Sequence, residues 1–187
     1  MKRVGLIGED PYDKLSIKNL IAPIYSKNII FTPLMRSIRG GGLDNVKLQR
    51  ALKVEIKNTQ LDFIIFIRDL DALPSQNAEI NKRVDWFKKL TSFKNDILLL
   101  NIWELETLIY ADIETFNKEY GVAVKFTGNP MMINDPKGKL RHETRNVKKK
   151  FHESDCPELF KLLNINLLIK NCIYFAAFIK ELSAKSA

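Results

Sequence analysis

The chain has 187 residues, of which 45% are hydrophobic and 28% are charged, and its formal net charge is +8 at pH 7. This composition excludes a disordered polymer, and the length fits one domain that can bury a sizeable core. The excess of positive charge favours acidic partners, among which nucleic acid is the commonest.

The cysteine content and the apolar runs exclude several further classes. Cys156 and Cys172 are too few for a disulfide framework, and they lack the CxxC spacing of a zinc site. The first residues, MKRVGLIGEDP, turn acidic after a short apolar run, which is not typical of a signal peptide. No apolar run approaches the ~20 residues that cross a bilayer. We therefore expect a cytoplasmic protein that does not enter the membrane.

In chain order, short apolar runs alternate with amphipathic stretches over residues 1–126. The predicted strands cover residues 4–7, 28–34, 61–67 and 97–102, and the predicted helices cover residues 13–27, 44–58, 79–93 and 104–120. The third strand, LDFIIFI, is apolar on both faces, as is typical of a central parallel strand. Gly40, Gly41 and Gly42 break the chain before the second helix, which Asp44 can cap. This alternation predicts an α/β, Rossmann-like fold with a mainly parallel four-stranded sheet flanked by helices.

Residues 127–187 are less regular, and we expect them to pack on this core as part of a single domain. Turn formers and then the basic run LRHETRNVKKKF dominate their first half. Residues 164–184 predict a C-terminal helix that packs on the core. Its apolar sequence, INLLIKNCIYFAAFI, is compatible with a homodimer contact and equally with burial in the chain's own core.

Acidic residues follow two of the predicted strands. Glu9 and Asp10 come after the first strand, and Asp69 and Asp71 follow the third. Side chains two apart on an extended segment point to the same side, so Asp69 and Asp71 can converge on one ion. Glu9 faces the same space if the first and third strands are neighbours. Acidic residues also cap helices and solvate strand ends, but the combination favours a magnesium site, because Mg²⁺ prefers hard oxygen ligands.

Four strings resemble motifs of the Toprim superfamily, in which a Glu follows the first strand and a DxD follows a later hydrophobic strand. They are IGEDPYDKLSIKNL with Glu9 and Asp13, FIIFIRDLDA with Asp69 and Asp71, LETLIYAD with Glu106 and Asp112, and the Asp135-Pro136-Lys137 turn. The whole pattern is most similar to small stand-alone bacterial Toprim-like proteins related to the overcoming-lysogenization-defect nucleases. Two positions depart from the family pattern: Asp10 replaces the usual glycine, and Leu108 replaces a usual tryptophan.

The resemblance implies a Toprim-like core and a magnesium- or manganese-dependent nuclease, or another enzyme that acts on phosphodiesters. It further implies a role in bacterial defence against foreign DNA, with an ATPase as a conceivable partner. The implied metal ligands are Glu9, Asp13, Asp69, Asp71 and Glu106, and the implied catalytic residues are Glu9, Asp69, Asp71 and Lys137. The implied nucleic-acid contacts are Lys137, Arg141, Arg145 and Lys148.

Alternative interpretations of the same residues stay open at this point. The domain can be a non-catalytic Toprim-like module that binds nucleic acid or a partner protein through a basic face. The basic run from Arg141 to Lys150 is equally typical of a solvated helix surface, and Glu106 opens a predicted helix, where negative charge suits the helix dipole. A flavodoxin-like or response-regulator-like domain is disfavoured, because the acidic pair follows the third strand rather than the first.

Overall fold

A computed structural model describes residues 1–35 and 42–186 of the chain. Four parallel strands form one sheet in the order β2-β1-β3-β4, and their bounds are β1 Lys2–Ile7, β2 Ile29–Pro33, β3 Phe63–Asp69 and β4 Ile97–Asn101. The predicted α/β fold with a parallel four-stranded sheet is therefore confirmed. The first and third strands are neighbours, so the residues that follow them lie at the same edge.

Helices cover both faces of this sheet. The described helices are α1 Pro11–Tyr25, α2 Val46–Asn58, α3 Asn77–Leu90, α4 Thr107–Ala111, α5 Ile113–Tyr120, α6 Pro136–Glu143, α7 Cys156–Leu159, α8 Ile165–Asn171 and α9 Ile173–Ser186. Short 3₁₀ turns lie at Gly42–Asp44, Pro130–Met132 and Glu153–Asp155. Gly42 thus begins a turn, whereas Gly40 and Gly41 lie outside the described residues.

Two helices that the sequence predicts as continuous are each divided in two. The first is interrupted at Asp112, whose backbone leaves the helical region at φ −137° and ψ 57°. The Asp112 carboxylate accepts hydrogen bonds from the backbone N of Asn164 and from Thr115 Oγ1. The second is interrupted at Cys172, which is extended at φ −131°. The Asp112 carboxylate thus connects the break between α4 and α5 to the residue that precedes α8.

The sheet separates two hydrophobic cores. The larger core joins α1 and the C-terminal helices to one face of the sheet, and it includes Ile17 of α1 and Ile65 of β3. The smaller core packs α2 and α3 on the other face through residues such as Leu52 and Trp86. Phe175, Phe178 and Leu182 of α9 are buried in the larger core, whereas Ile173 at the start of the helix is 68% exposed, so burial explains part of its apolar composition.

A lipid bilayer sets a minimum length for any helix that crosses it. Spanning the hydrocarbon layer takes ~20 mostly apolar residues in one helix. Within residues 1–35 and 42–186, none of the helices has the length and hydropathy that this requires.

Candidate functional site

A cavity of about 240 Å³ lies at the carboxyl edge of the sheet, where the first and third strands end. Ligands of open parallel sheets bind at this edge because the connecting loops converge there. The residues that line the cavity are Glu9, Asp10, Tyr12, Asp13, Asp69, Leu105, Glu106, Lys137, Glu153 and Cys156. Four of the five implied metal ligands therefore share one cavity, together with Lys137.

Asp69 is the last residue of β3, and it is held by its neighbour on β4. The register places Asp69 opposite Asn101, and Asn101 Nδ2 donates to Asp69 Oδ1 over 3.0 Å. Burial raises the pKa of Asp69 well above its usual value, and the nearby Asp13 and Glu106 carboxyl groups raise it further. The Asn101 hydrogen bond opposes this shift, because it stabilises the charged form.

Asp13 combines a structural role with a place in the cavity. It is the third residue of α1, and its Oδ2 accepts a hydrogen bond from the backbone N of Asp10 over 3.1 Å. Asp10 Oδ1 in turn accepts from the backbone N of Tyr12, which completes a capping box at the start of the helix. Burial raises the pKa of Asp13 to about 7, although the hydrogen bond from Asp10 lowers it.

Glu106 and Lys137 form the opposite side of the cavity. Glu106 is buried just before α4, and burial raises its pKa to about 7 despite the attraction of Lys137. Lys137 Nζ lies 3.2 Å from Glu104 Oε1 and 3.6 Å from Glu153 Oε1. Burial alone would lower the pKa of Lys137, but Glu106, Glu104 and Glu153 outweigh burial and raise it. Lys137 therefore remains a cation throughout the neutral range.

Glu9 lines the cavity and also pairs with an arginine on the other side of the sheet edge. Arg68 Nε lies 2.5 Å from Glu9 Oε1, and the Arg68 side chain is only 2% exposed. The same guanidinium donates to both carboxylate oxygens of Asp44, at 2.6 and 3.1 Å, and lies 4.5 Å from the ring centroid of Trp86. Burial raises the pKa of Glu9, and Arg68 opposes that shift. Glu9 thus lines the cavity, while Arg68 compensates part of its negative charge.

Asp71 is separated from Asp69 in the structure. The backbone of Asp71 is left-handed, at φ 56°, and its N–H donates to the carbonyl of Trp103 over 2.9 Å. Its exposed carboxylate accepts from Arg83 Nη2 at 3.1 Å and does not line the cavity. We expected Asp69 and Asp71 to converge because side chains two apart on an extended strand point to the same side. The left-handed backbone of Asp71 ends the extended conformation, so its side chain points elsewhere.

The implied nucleic-acid contacts beyond Lys137 lie outside the cavity. Arg141 of α6 pairs with Glu153 at 2.5 Å. Arg145 Nη1 donates to the backbone carbonyl of His142 over 2.9 Å, and Lys148 is exposed. The helix α6 ends at Glu143, so the rest of the basic run is a series of turns.

Sequence reasoning did not identify several residues of the site. The missed residues are Tyr12, Arg68, Asn101, Glu104, Glu153 and Cys156. Arg68 had a usable signal, since it is a charged residue within the apolar strand FIIFIRD. Asn101 had a weaker signal in the sequence, because it is the last residue of the strand beside the one that ends at Asp69. The buried Cys156 thiol has a raised pKa, which makes it a poor nucleophile.

The donor set fits magnesium or manganese, although it does not form a complete cage. Among residues 1–35 and 42–186, no group of three or more Asp, Glu, His or Cys side chains is placed to hold a metal ion by itself. Mg²⁺ usually takes only one or two carboxylates and fills its other positions with water and substrate phosphate. Asp13, Asp69 and Glu106 supply such oxygens around one space, and each is destabilised as an anion.

Comparison with known proteins adds no relative: no family model, no curated protein and no solved structure matches the chain. The resemblance to Toprim proteins therefore rests on the four sequence strings alone. The cavity and its charges are the basis for inferring what the protein does.

Proposed function

We propose that the acidic cavity is the active site of a magnesium- or manganese-dependent nuclease with a Toprim-like core. The observation that carries this proposal is the convergence of Asp13, Asp69 and Glu106, from three separate segments, beside the cation Lys137. A protein does not need this convergence for stability, because each buried carboxyl group raises the free energy of the folded state when it ionises.

A divalent cation provides a physical reason for the cluster. Carboxylates that raise one another's pKa become favourable when a cation lies among them. When bound, the metal would polarise a phosphodiester and stabilise the charge that develops on the attacking and leaving oxygens. Asp69 would hold the metal because Asn101 already orients its carboxylate, and Asp13 and Glu106 complete the acidic side.

Lys137 contributes the positive charge that a phosphate substrate needs. Its pairing with Glu104 and Glu153 fixes the ammonium group at the cavity wall. A phosphate oxygen that enters the cavity would replace one of these carboxylates as the ion-pair partner of Lys137. This exchange is possible because the lysine ammonium group binds anions as a point charge. Glu9 also lines the cavity and is paired with Arg68. A part in bacterial defence against foreign DNA, with a partner ATPase, belongs to this proposal through the family resemblance only.

The test combines metal binding with a cleavage assay. Calorimetric titration of Mg²⁺ or Mn²⁺ should give a binding isotherm with the wild type and none with Asp69→Asn or Glu106→Gln. Both substitutions conserve shape and remove the charge. Labelled DNA and RNA oligonucleotides should then be cut only in the presence of the metal, and Glu114→Gln, an exposed acid on α5, is the matched control. Cleavage at the wild-type rate by Asp69→Asn would contradict the proposal.

The second candidate is a non-catalytic binding module, and two observations favour it. Within the described residues the side chains form no complete metal cage, and Arg68 already compensates Glu9. This candidate predicts no calorimetric signal with Mg²⁺ or Mn²⁺ and no cleavage, with nucleic-acid binding that does not depend on the metal. Metal binding that is lost in Asp69→Asn excludes it.

A further inference from the structure

The exposed face of α2 presents four cations without anionic partners. Lys47, Arg50, Lys53 and Lys57 are all exposed, and their positions place them on one side of the helix. None of the four side chains forms an ion pair with any residue that the structure describes. This face is therefore a strip of unneutralised positive charge.

On the neighbouring helix α3, by contrast, three of the four cations form ion pairs. On α3, Lys82 pairs with Glu79, Arg83 with Asp71, and Lys88 with Asp85. The one acidic residue of α2, Glu55, is half-buried and accepts from the backbone N of Met35 over 2.9 Å. The glutamate is thus turned away from the strip and forms no ion pair with its four cations.

The spacing along the helix matches a phosphate backbone. At 1.5 Å per residue, the ten steps from Lys47 to Lys57 cover roughly 15 Å. One strand of duplex DNA rises about 3.4 Å per phosphate, and a strand with unstacked bases is longer, so this length corresponds to at most about four nucleotides. Four long, unpaired basic side chains over that distance supply at least about one cation for each phosphate.

An open groove lies at the end of the strip. Its volume is about 520 Å³, and its lining includes Lys53, Lys57, Leu61 and Phe93. Apolar and aromatic side chains beside two lysines can take an unstacked base while the lysines hold the adjoining phosphates. The bases of a duplex are stacked inside the helix and cannot enter such a groove, so the groove favours a single strand.

We infer that the exposed face of α2, with the groove at its end, binds a single-stranded nucleic acid. The strip begins beside the acidic cavity, because Asp44, just before α2, binds Arg68 and Arg68 contacts Glu9. A lipid surface fits less well, since the exposed apolar residues Val46 and Val54 are small and the larger apolar residues of α2 are buried in the core. The inference rests on the proposed function only in treating the bound strand as the substrate.

The test measures fluorescence anisotropy of labelled oligonucleotides in EDTA over a range of salt concentrations. Replacing all four cations by Gln (Lys47→Gln, Arg50→Gln, Lys53→Gln, Lys57→Gln) should weaken binding of the single strand at least about tenfold. The slope of log affinity against log salt should shrink by about 0.7 for each phosphate that the variant no longer neutralises, hence by about 3 in total. DNA and RNA strands of one sequence are compared to identify the natural backbone.

A matched control removes the same charge elsewhere. Four exposed lysines in or beside helices of the larger core are replaced by Gln: Lys27, Lys118, Lys170 and Lys180. This control should retain most of the affinity and of the salt dependence. Equal losses of affinity in the two variants would mean that only net charge matters, and they would overturn the assignment to α2.

The groove is tested separately with Phe93→Leu, which keeps an apolar side chain and removes the ring. We expect roughly tenfold weaker binding of the single strand and unchanged binding of a duplex of the same sequence. A wild-type protein that prefers the duplex, or that binds phosphatidylserine vesicles through the four cations instead of oligonucleotides, would refute the inference. Asp69→Asn should bind the strand normally, so a failure of the proposed chemistry is distinguishable from a failure of this surface.

Discussion

Asn101 Nδ2 donates a hydrogen bond of 3.0 Å to Asp69 Oδ1, which links the last residues of two neighbouring parallel strands. The bond leaves the second oxygen of Asp69 for the cavity and limits the rotation of its carboxylate. Residues that orient a ligand in this way contribute to a metal site without contacting the metal. The relationship gives the proposed site a direct test that leaves every carboxyl group in place.

Asn101→Ala should lower the affinity for Mg²⁺ or Mn²⁺ by roughly tenfold or more, since removing the partner that orients a metal ligand commonly has this effect. The number of binding sites in calorimetry should stay the same. Asn171→Ala is the control, because it removes an amide that donates to the carbonyl of Ala111, outside the acidic cavity. Equal affinities for the Asn101 variant and the wild type would show that Asp69 is not a ligand that Asn101 orients.

The two carboxylates of the DLD string should behave differently. Asp69→Asn removes an acid from the cavity, so it should abolish metal binding and metal-dependent cleavage. Asp71→Asn removes an exposed partner of Arg83, and we expect activity within about threefold of the wild type, because exposed ion pairs contribute little. Parallel cleavage assays of the two variants check this. Equal losses of activity would mean that both residues bind the metal, as the sequence alone suggests.

The fold was predictable because its signals are local and repeated. The apolar run around Phe63–Asp69 and the alternation of strands and helices indicate a parallel sheet without further information. Glu9 and Asp69 could be placed at one edge because each lies at the carboxyl end of a strand. Glu9 and Asp69 share a cavity because the first and third strands are neighbours, as the structure shows.

The rest depended on interactions between distant segments. The left-handed backbone of Asp71 goes with a hydrogen bond to Trp103, and no pattern within three residues encodes it. Lys14 is another example: its side chain is buried and donates to the carbonyls of Leu34 and Met35, although lysine is rarely buried. The four cations of α2 were visible in the sequence, but their lack of partners was not.

The metal-free protein should lose stability as the pH rises from about 4.5 to about 7. Burial raises the pKa of Glu106 from 4.5 to about 7, and that of Asp13 from 3.8 to about 7. Below the unfolded values both groups are protonated in either state, and there is no penalty. Between roughly pH 4.5 and pH 7 the unfolded chain releases protons that the folded chain keeps, so unfolding becomes easier. The Glu106 shift alone corresponds to roughly 3 kcal/mol.

Urea denaturation in EDTA at about pH 5 and about pH 8 measures this difference. The free energy of unfolding should be lower at the higher pH, and Glu106→Gln should reduce the difference. Glu114→Gln, an exposed acid, should leave it unchanged. Magnesium should restore stability mainly at the higher pH, where the carboxylates are free to bind it. Stability that is constant or increases with pH in EDTA would contradict the pKa shifts.

The final prediction concerns Arg68, which joins Glu9 to Asp44. Arg68→Met should lower the free energy of unfolding by roughly 2–3 kcal/mol, because it leaves Glu9 without its partner and removes the stacking on Trp86. This loss of stability is smaller than that expected for a fully buried ion pair, because the side chain of Glu9 is 21% exposed and the side chain of Asp44 is 55% exposed. Adding Glu9→Gln to this variant should restore part of the stability, because the unpaired charge is then gone.

Arg83→Met is the matched control for this substitution. Arg83 pairs with the exposed carboxylates of Asp71 and Asp44, at 3.1 and 4.0 Å, so its replacement should cost less than that of Arg68. Urea denaturation of the single and double variants gives the coupling between Arg68 and Glu9. Additive effects of Arg68→Met and Glu9→Gln would mean that the two side chains are not coupled, and Glu9 would then be fully available to the cavity.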